Sequence, residues 1–305
     1  MLTVFYLQQD LTNPLVPVQP VHCNALTSLF CTVAVMASSV LEKRAEKIIQ
    51  DLFLDACKTN DLEKVKNCVG LGADINSKDV CGYTGLYLAA RENCLDVLDY
   101  LLDRTNINVN CKTFNGLTPL MIACIRGHIQ VVWRLCLVPS ININCKDTSG
   151  DTALTNAVYF GNTQCILALK HSIIQPKVNW NVRGKYGDSA LIIAVQRAYA
   201  DILEILLTVP SIDVSAENHE GDGVAQIAVE WIGERRVGER LKCVRMLSKD
   251  PRVNWNIKNQ EDSEVPIMYA LKREKLDVVK ILLNASGIDL KVKDRSGQTL
   301  VQIAR

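Results

Sequence analysis

The first forty residues contain neither lysine nor arginine. A secretory leader opens on a basic segment, so the apolar stretch at 25–37, ALTSLFCTVAVMA, lacks the feature that would make it one. The same stretch is shorter than the roughly 20 residues needed to cross a bilayer. Pro14, Pro17 and Pro20 hold the preceding chain extended. Residues 1–40 are therefore expected to be a disordered or non-native tail, with Met36, at the head of MASSVLEKRAEK, as the natural start.

Net charge is missing as well. The chain carries 34 Lys and Arg against 33 Asp and Glu, a formal charge of +1. No global field draws it to nucleic acid or to an anionic membrane, and neither is expected as a partner. Histidine is scarce, at four residues, and no CxxC occurs, so the ligand spacing of a zinc site is absent. Twelve cysteines are present, but at equivalent places along the chain and not in one cluster. Cys57 pairs in register with Cys124, Cys111 with Cys145, and Cys165 with Cys243. They read as small apolar fillers of a reduced, intracellular, cytoplasmic protein with no disulfide framework.

A catalytic constellation is also lacking. His22, His128, His171 and His219 lie at unrelated places, with no nucleophile or carboxylate at an activating spacing. The glycines are single turn residues that form no phosphate-cradling loop. Neither an enzyme nor a cofactor is expected.

What is present is a repeat. In 113–146, TFNGLTPLMIACIRGHIQVVWRLCLVPSININCK, Thr118 can cap a helix whose first residue is Pro119, where a missing N–H costs nothing. Leu120, Ala123 and Cys124 share one face, and after Gly127 so do Ile129, Val132, Leu135 and Cys136. Two helices of about ten residues are too short to persist alone, so each pair must be stabilised by stacking on a neighbour. Gly82, Gly116, Gly150, Gly187 and Gly221 mark the turns at separations of 34, 34, 37 and 34 residues. Ser263 follows 42 later and Gly297 34 after that. The extra residues fall at 171–178 and at EWIGERRVGER (230–240), whose arginines suggest a mobile accessory loop.

A turn before TPL, two short helices and a loop such as GADINSKD (72–79) or SININ, recurring at about 33 residues, resembles the ankyrin repeat. The resemblance covers roughly 48–305 and implies an all-α solenoid occupying 41–305. It would hold about seven stacked repeats, the first a charged amino-terminal cap and the last incomplete, as in a fragment of a longer chain. One departure stands out. The histidine of the family's TPLH, which ties neighbouring repeats together, is replaced by Tyr87, Met121, Thr155, Ile192 and Gln226. Stability should suffer, most at 221–270, where Gly223 and Glu264 disturb the helix starts.

The resemblance further implies a protein-binding concave face built from hairpin tips and the ends of the first helices. Carried over position by position, it comprises Tyr83, Arg91, Phe114, Asn115, Leu117, Ile125, Arg126, Tyr159, Phe160, Tyr186, Arg197 and Trp231. Aromatic rings beside arginine are the composition of interface hot spots. Some of these rings could instead lie flat and pack. The column Lys78, Lys112, Lys146, Arg183, Lys258 and Lys293 reads as a solvated face, His128 as a structural turn residue, and Trp180 and Trp255 as packing. The function expected is a monomeric scaffold or adaptor for a partner protein. A stoichiometric inhibitor, or a substrate-recruiting or regulatory domain of a larger enzyme, stands as the alternative.

Overall fold

The computed structural model describes the backbone of residues 25–172, 177–230, 236–259 and 264–304, with side chains from residue 41. The chain divides into two compact units, 1–48 and 49–305. Helix α1, Ala25–Thr59, runs through both. Its residues 25–40 are a run free of proline and glycine.

The second unit is a stack of helix pairs. After α1 come α2 (Leu62–Gly70), α3 (Gly85–Glu92), α4 (Leu95–Leu102), α5 (Pro119–Arg126), α6 (Ile129–Cys136), α7 (Ala153–Tyr159) and α8 (Thr163–Lys170). They continue with α9 (Ala190–Gln196), α10 (Ala200–Leu207), α11 (Val224–Glu230), α12 (Val237–Lys249), α13 (Pro266–Lys272), α14 (Leu276–Leu282) and α15 (Leu300–Ile303). From α3 onward the odd-numbered helices pack in one row and the even-numbered ones from α2 in another, so among the described residues each repeat packs on its neighbours. Among the described residues there is no strand. Isolated bridges such as Lys78 with Thr84 and Arg183 with Ser189 pinch the hairpins between repeats.

Local chemistry sets the helix starts. The hydroxyls of Thr84, Thr118, Thr152 and Ser189 each accept a hydrogen bond from the backbone N–H three residues on. The residues that replace the TPLH histidine are all buried. Met121 and Thr155 close the cap in return, through the Met121 sulfur and the Thr155 hydroxyl. At the amino-terminal end Phe53 and Cys57 of α1 lie directly against Gly85. A Cβ there would stand 2.8 Å from the Phe53 ring and 2.9 Å from the Cys57 sulfur.

Inter-repeat hydrogen bonds are not lost with the histidines. Asn76, Asn110, Asn144, Asn181 and Asn256 each reach the next loop with both ends of the amide. In one case the Asn144 Nδ2 donates to the Lys177 carbonyl at 3.0 Å while its Oδ1 accepts from the Asn179 N–H at 2.8 Å. The others repeat that clamp. Lys78 and Lys112 donate to the carbonyls of Lys112 and Lys146 at 2.7 Å, so part of the basic column is structural. The exception is the repeat at 211–223. Ser215 stands where asparagine would be and bonds to Asp213, and Gly223 offers no hydroxyl cap.

Two expectations concern this carboxy-terminal half, and the second needs correction. Glu264 stands before a helix start that has no side-chain cap, but its charge is matched. It is buried, ion-paired to Lys272 at 2.7 Å and to Arg273 at 3.5 Å, and Lys272 bridges on to Asp294 at 2.8 Å. The insertion at 230–240 is not wholly loop, because 237–240 form the first turn of α12, with Arg240 buried. Residues 231–235 lie outside the described residues.

Candidate protein-interaction surface

The expected face is formed by turn tips and by the carboxy-terminal ends of α3, α5, α7 and α9. Its tips are linked backbone to backbone. The Asn115 carbonyl accepts from the Thr148 N–H at 3.1 Å and from its hydroxyl at 3.0 Å, and the Tyr186 carbonyl accepts from the His219 N–H at 3.0 Å. These links hold the side chains at adjoining tips in a fixed register. Asp147 shapes its own turn by accepting from the N–H groups of Ser149 and Asp151.

Some of the expected residues serve packing. Tyr83 is half-buried, stacked on Tyr87 with ring centroids 4.8 Å apart, and Arg91 lies over it at 5.2 Å while paired to Glu92 at 2.7 Å. Burial pushes the Tyr87 hydroxyl up to about 12, so that ring is a neutral core group. Leu117 and Ile125 are half-buried against the core.

The others face outward. Phe114 is 70% exposed, Tyr159 48%, Phe160 50% and Tyr186 63%. Phe114 sits on the preceding turn, where a Cβ on Gly82 would meet its backbone nitrogen at 3.0 Å and its ring at 3.3 Å; Gly82 has φ +80° and no side chain to intrude. Tyr159 and Phe160 meet edge to face at 5.3 Å. The Arg197 guanidinium covers Tyr159 at 3.8 Å from the ring centre, and the Lys185 ammonium approaches Tyr186 at 5.0 Å. Arg126 and Asn115 are exposed as well. Trp231 lies outside the described residues.

The stacking of Arg197 on Tyr159 joins residues 38 apart, and no local pattern announces it. The asparagine clamp did leave a signal, since Asn76, Asn110 and Asn144 recur at the repeat spacing. His128 bonds the Arg91 carbonyl through Nε2 at 3.0 Å, a structural contact between repeats. Burial and the neighbouring thiol of Cys94 raise Cys57 far above the ordinary thiol value, and burial holds Cys136 and Cys243 at about 11. Such thiols are not nucleophiles at neutral pH. Trp255 is buried, Trp180 half-buried and Trp133 exposed. Among the described residues no group of three or more His, Cys, Asp or Glu side chains converges on a metal position, and no helix is long and apolar enough to cross a membrane.

Comparison with protein families agrees with this geometry. Ankyrin repeats in three-copy arrays match residues 53–147 and 134–218, and ankyrin repeats in many-copy arrays match 256–304. The chain belongs to the ankyrin repeat family, whose members are in general protein–protein interaction scaffolds. No curated protein matches it. The segment 219–255, between the family matches, includes the capless start of α11.

Proposed function

We propose that this chain is a non-enzymatic scaffold or adaptor that captures a partner protein across the central repeats. Phe114, Tyr159, Phe160 and Tyr186 are the anchors, with Arg126 and Arg197 beside them. The observation that carries the reading is the exposure of four large rings in adjoining repeats, where nothing in the stack requires them. Aromatic side chains on a pre-ordered frame contribute contact area at small entropic cost and dominate binding when a partner buries them.

The mechanism is complementarity without turnover. The binding unit is 41–305, acting as a monomer inside the cell. Stoichiometric inhibition and substrate recruitment use the same face and differ in the fate of the captured protein. Replacing Phe114, Tyr159 and Tyr186 together by Ala should reduce partner recovery in affinity capture with mass spectrometry by at least about tenfold. Cooperative thermal unfolding should persist, because exposed positions contribute little stability. Unchanged recovery of every partner would remove this face from consideration.

A further inference from the structure

Of the arginines that lie over tyrosine rings, three stand at the carboxy-terminal ends of the odd-numbered helices, and their ion pairing differs. Arg91, over Tyr83, is already paired to Glu92 at 2.7 Å. Arg273 lies 3.5 Å over Tyr269 and faces Glu264 at 3.5 Å. Arg197, 3.8 Å over Tyr159, has no carboxylate partner among the described residues. Arg126, exposed on the same face, has no ion pair within 4 Å either, whereas Lys185 has the charge of Asp151 nearby. Two carboxylates of these repeats are committed elsewhere. Asp151 accepts from the backbone of Lys185, and Asp188 is buried and accepts from Gln196 at 3.3 Å.

A guanidinium lying on a ring has one face covered and its in-plane N–H donors open. The ring also limits its rotamers, so part of the ordering entropy is already spent before a ligand arrives. Such a group is a receptor for a planar carboxylate, held in two parallel hydrogen bonds. Next to the Tyr159 ring under it, Phe160 offers apolar surface. Resting on the face proposed above, we infer that the partner is a peptide segment that delivers an Asp or Glu side chain to Arg197 and lays an adjoining apolar residue on Phe160. Nucleic acid fits less well. Base stacking needs free ring faces, yet Arg197 covers that of Tyr159, and a chain of net charge +1 has no field to gather a polyanion.

The probe is a random peptide library displayed on phage, selected against the folded chain. Selected sequences should carry Asp or Glu next to an aliphatic or aromatic residue. A synthetic peptide of that sequence should bind roughly tenfold more weakly when its acid becomes the amide, and the same loss should follow from Arg197→Gln. Combining the two changes should add nothing further, since one interaction is removed twice. Arg197→Lys should recover only part of the affinity, because an ammonium lacks the fork. Full additivity, or an amide peptide that binds as tightly, overturns the inference. Apolar peptides that bind through Phe114 and ignore Arg197→Gln would sink it while leaving the face intact. If nothing is enriched, or if enrichment survives Phe114→Ala, Phe160→Ala and Tyr186→Ala combined, both readings fall. Oligouridylate binding that depends on Arg197 and displaces the peptide would replace the peptide with RNA. Circular dichroism of each variant establishes that the fold is retained.

Discussion

At the scale of single residues, the fold depends on a few places where size is the whole issue. Gly85 is the clearest. It begins α3 in contact with the Phe53 ring and the Cys57 sulfur, both wholly buried. Two effects oppose one another in Gly85→Ala. A better helix former gains up to about 1 kcal/mol, less at a helix start, whereas forcing a methyl into a filled core costs about 1–3 kcal/mol. The second should win, because an aromatic ring packed on all sides cannot move aside cheaply. The expected outcome is a loss of about 1–2 kcal/mol, read as a lower denaturant midpoint with unchanged slope. An unchanged or raised midpoint would show that α1 and α3 can part to admit a methyl without loss. Phe114 poses the opposite case, a large ring supported from below by a turn glycine and otherwise left in solvent.

At the scale of elements, the last seam is fastened by charge. Lys272 on α13 donates to Glu264 at 2.7 Å and to Asp294 at 2.8 Å, and both carboxylates are buried. Lys272 and the N–H of Gln298 hold Asp294 below its ordinary value of 3.8, and Asp294 and Glu264 hold Lys272 above its ordinary 10.5. For the depressed carboxyl, the stabilisation is present above 3.8 and lost as pH falls through its folded value. For the raised ammonium, it is present below 10.5 and lost as pH rises through its folded value. The seam between α13 and α15 should therefore hold over the window between these values and open first in acid. Hydrogen exchange at 294–304, compared between neutral and acid pH, checks this. Asp294→Asn should open at neutral pH and show a smaller acid-dependent change; a variant with the wild-type acid profile would place the effect elsewhere.

For the whole molecule, stability along the stack should be uneven, since a solenoid is held only by neighbouring interfaces. The repeat at 211–223 lacks the asparagine clamp and the hydroxyl cap present in the repeats before it. The cap contributes about 1 kcal/mol and the missing clamp about 1 kcal/mol more. Some compensation exists. Arg252 donates to the Leu207 carbonyl at 3.0 Å, and Lys275 reaches the carbonyls of Val229 and Glu230. The net expectation is that amides of 221–270 open at a free energy about 1–2 kcal/mol lower than those of 113–170 in native-state hydrogen exchange. Equal protection of the two segments would refute it.

Much of this architecture was legible from the chain alone. The turn glycines, the threonine caps and the two helical faces per repeat are local or periodic features, and a one-dimensional stack asks for little else. The candidate positions were legible for the same reason, as a fixed register counted from each turn glycine. Tertiary structure decided which of them pack and which remain free. Tyr83 and Leu117 turn inward, Phe114 and Tyr186 do not, and Arg197 settles on a ring from the preceding repeat. It also decided that Glu264 is a buried ion-pair partner and that Arg240 belongs to a helix. Periodicity specifies which residues share a register because backbone geometry repeats. Side-chain partnership between repeats depends on packing that no local spacing encodes.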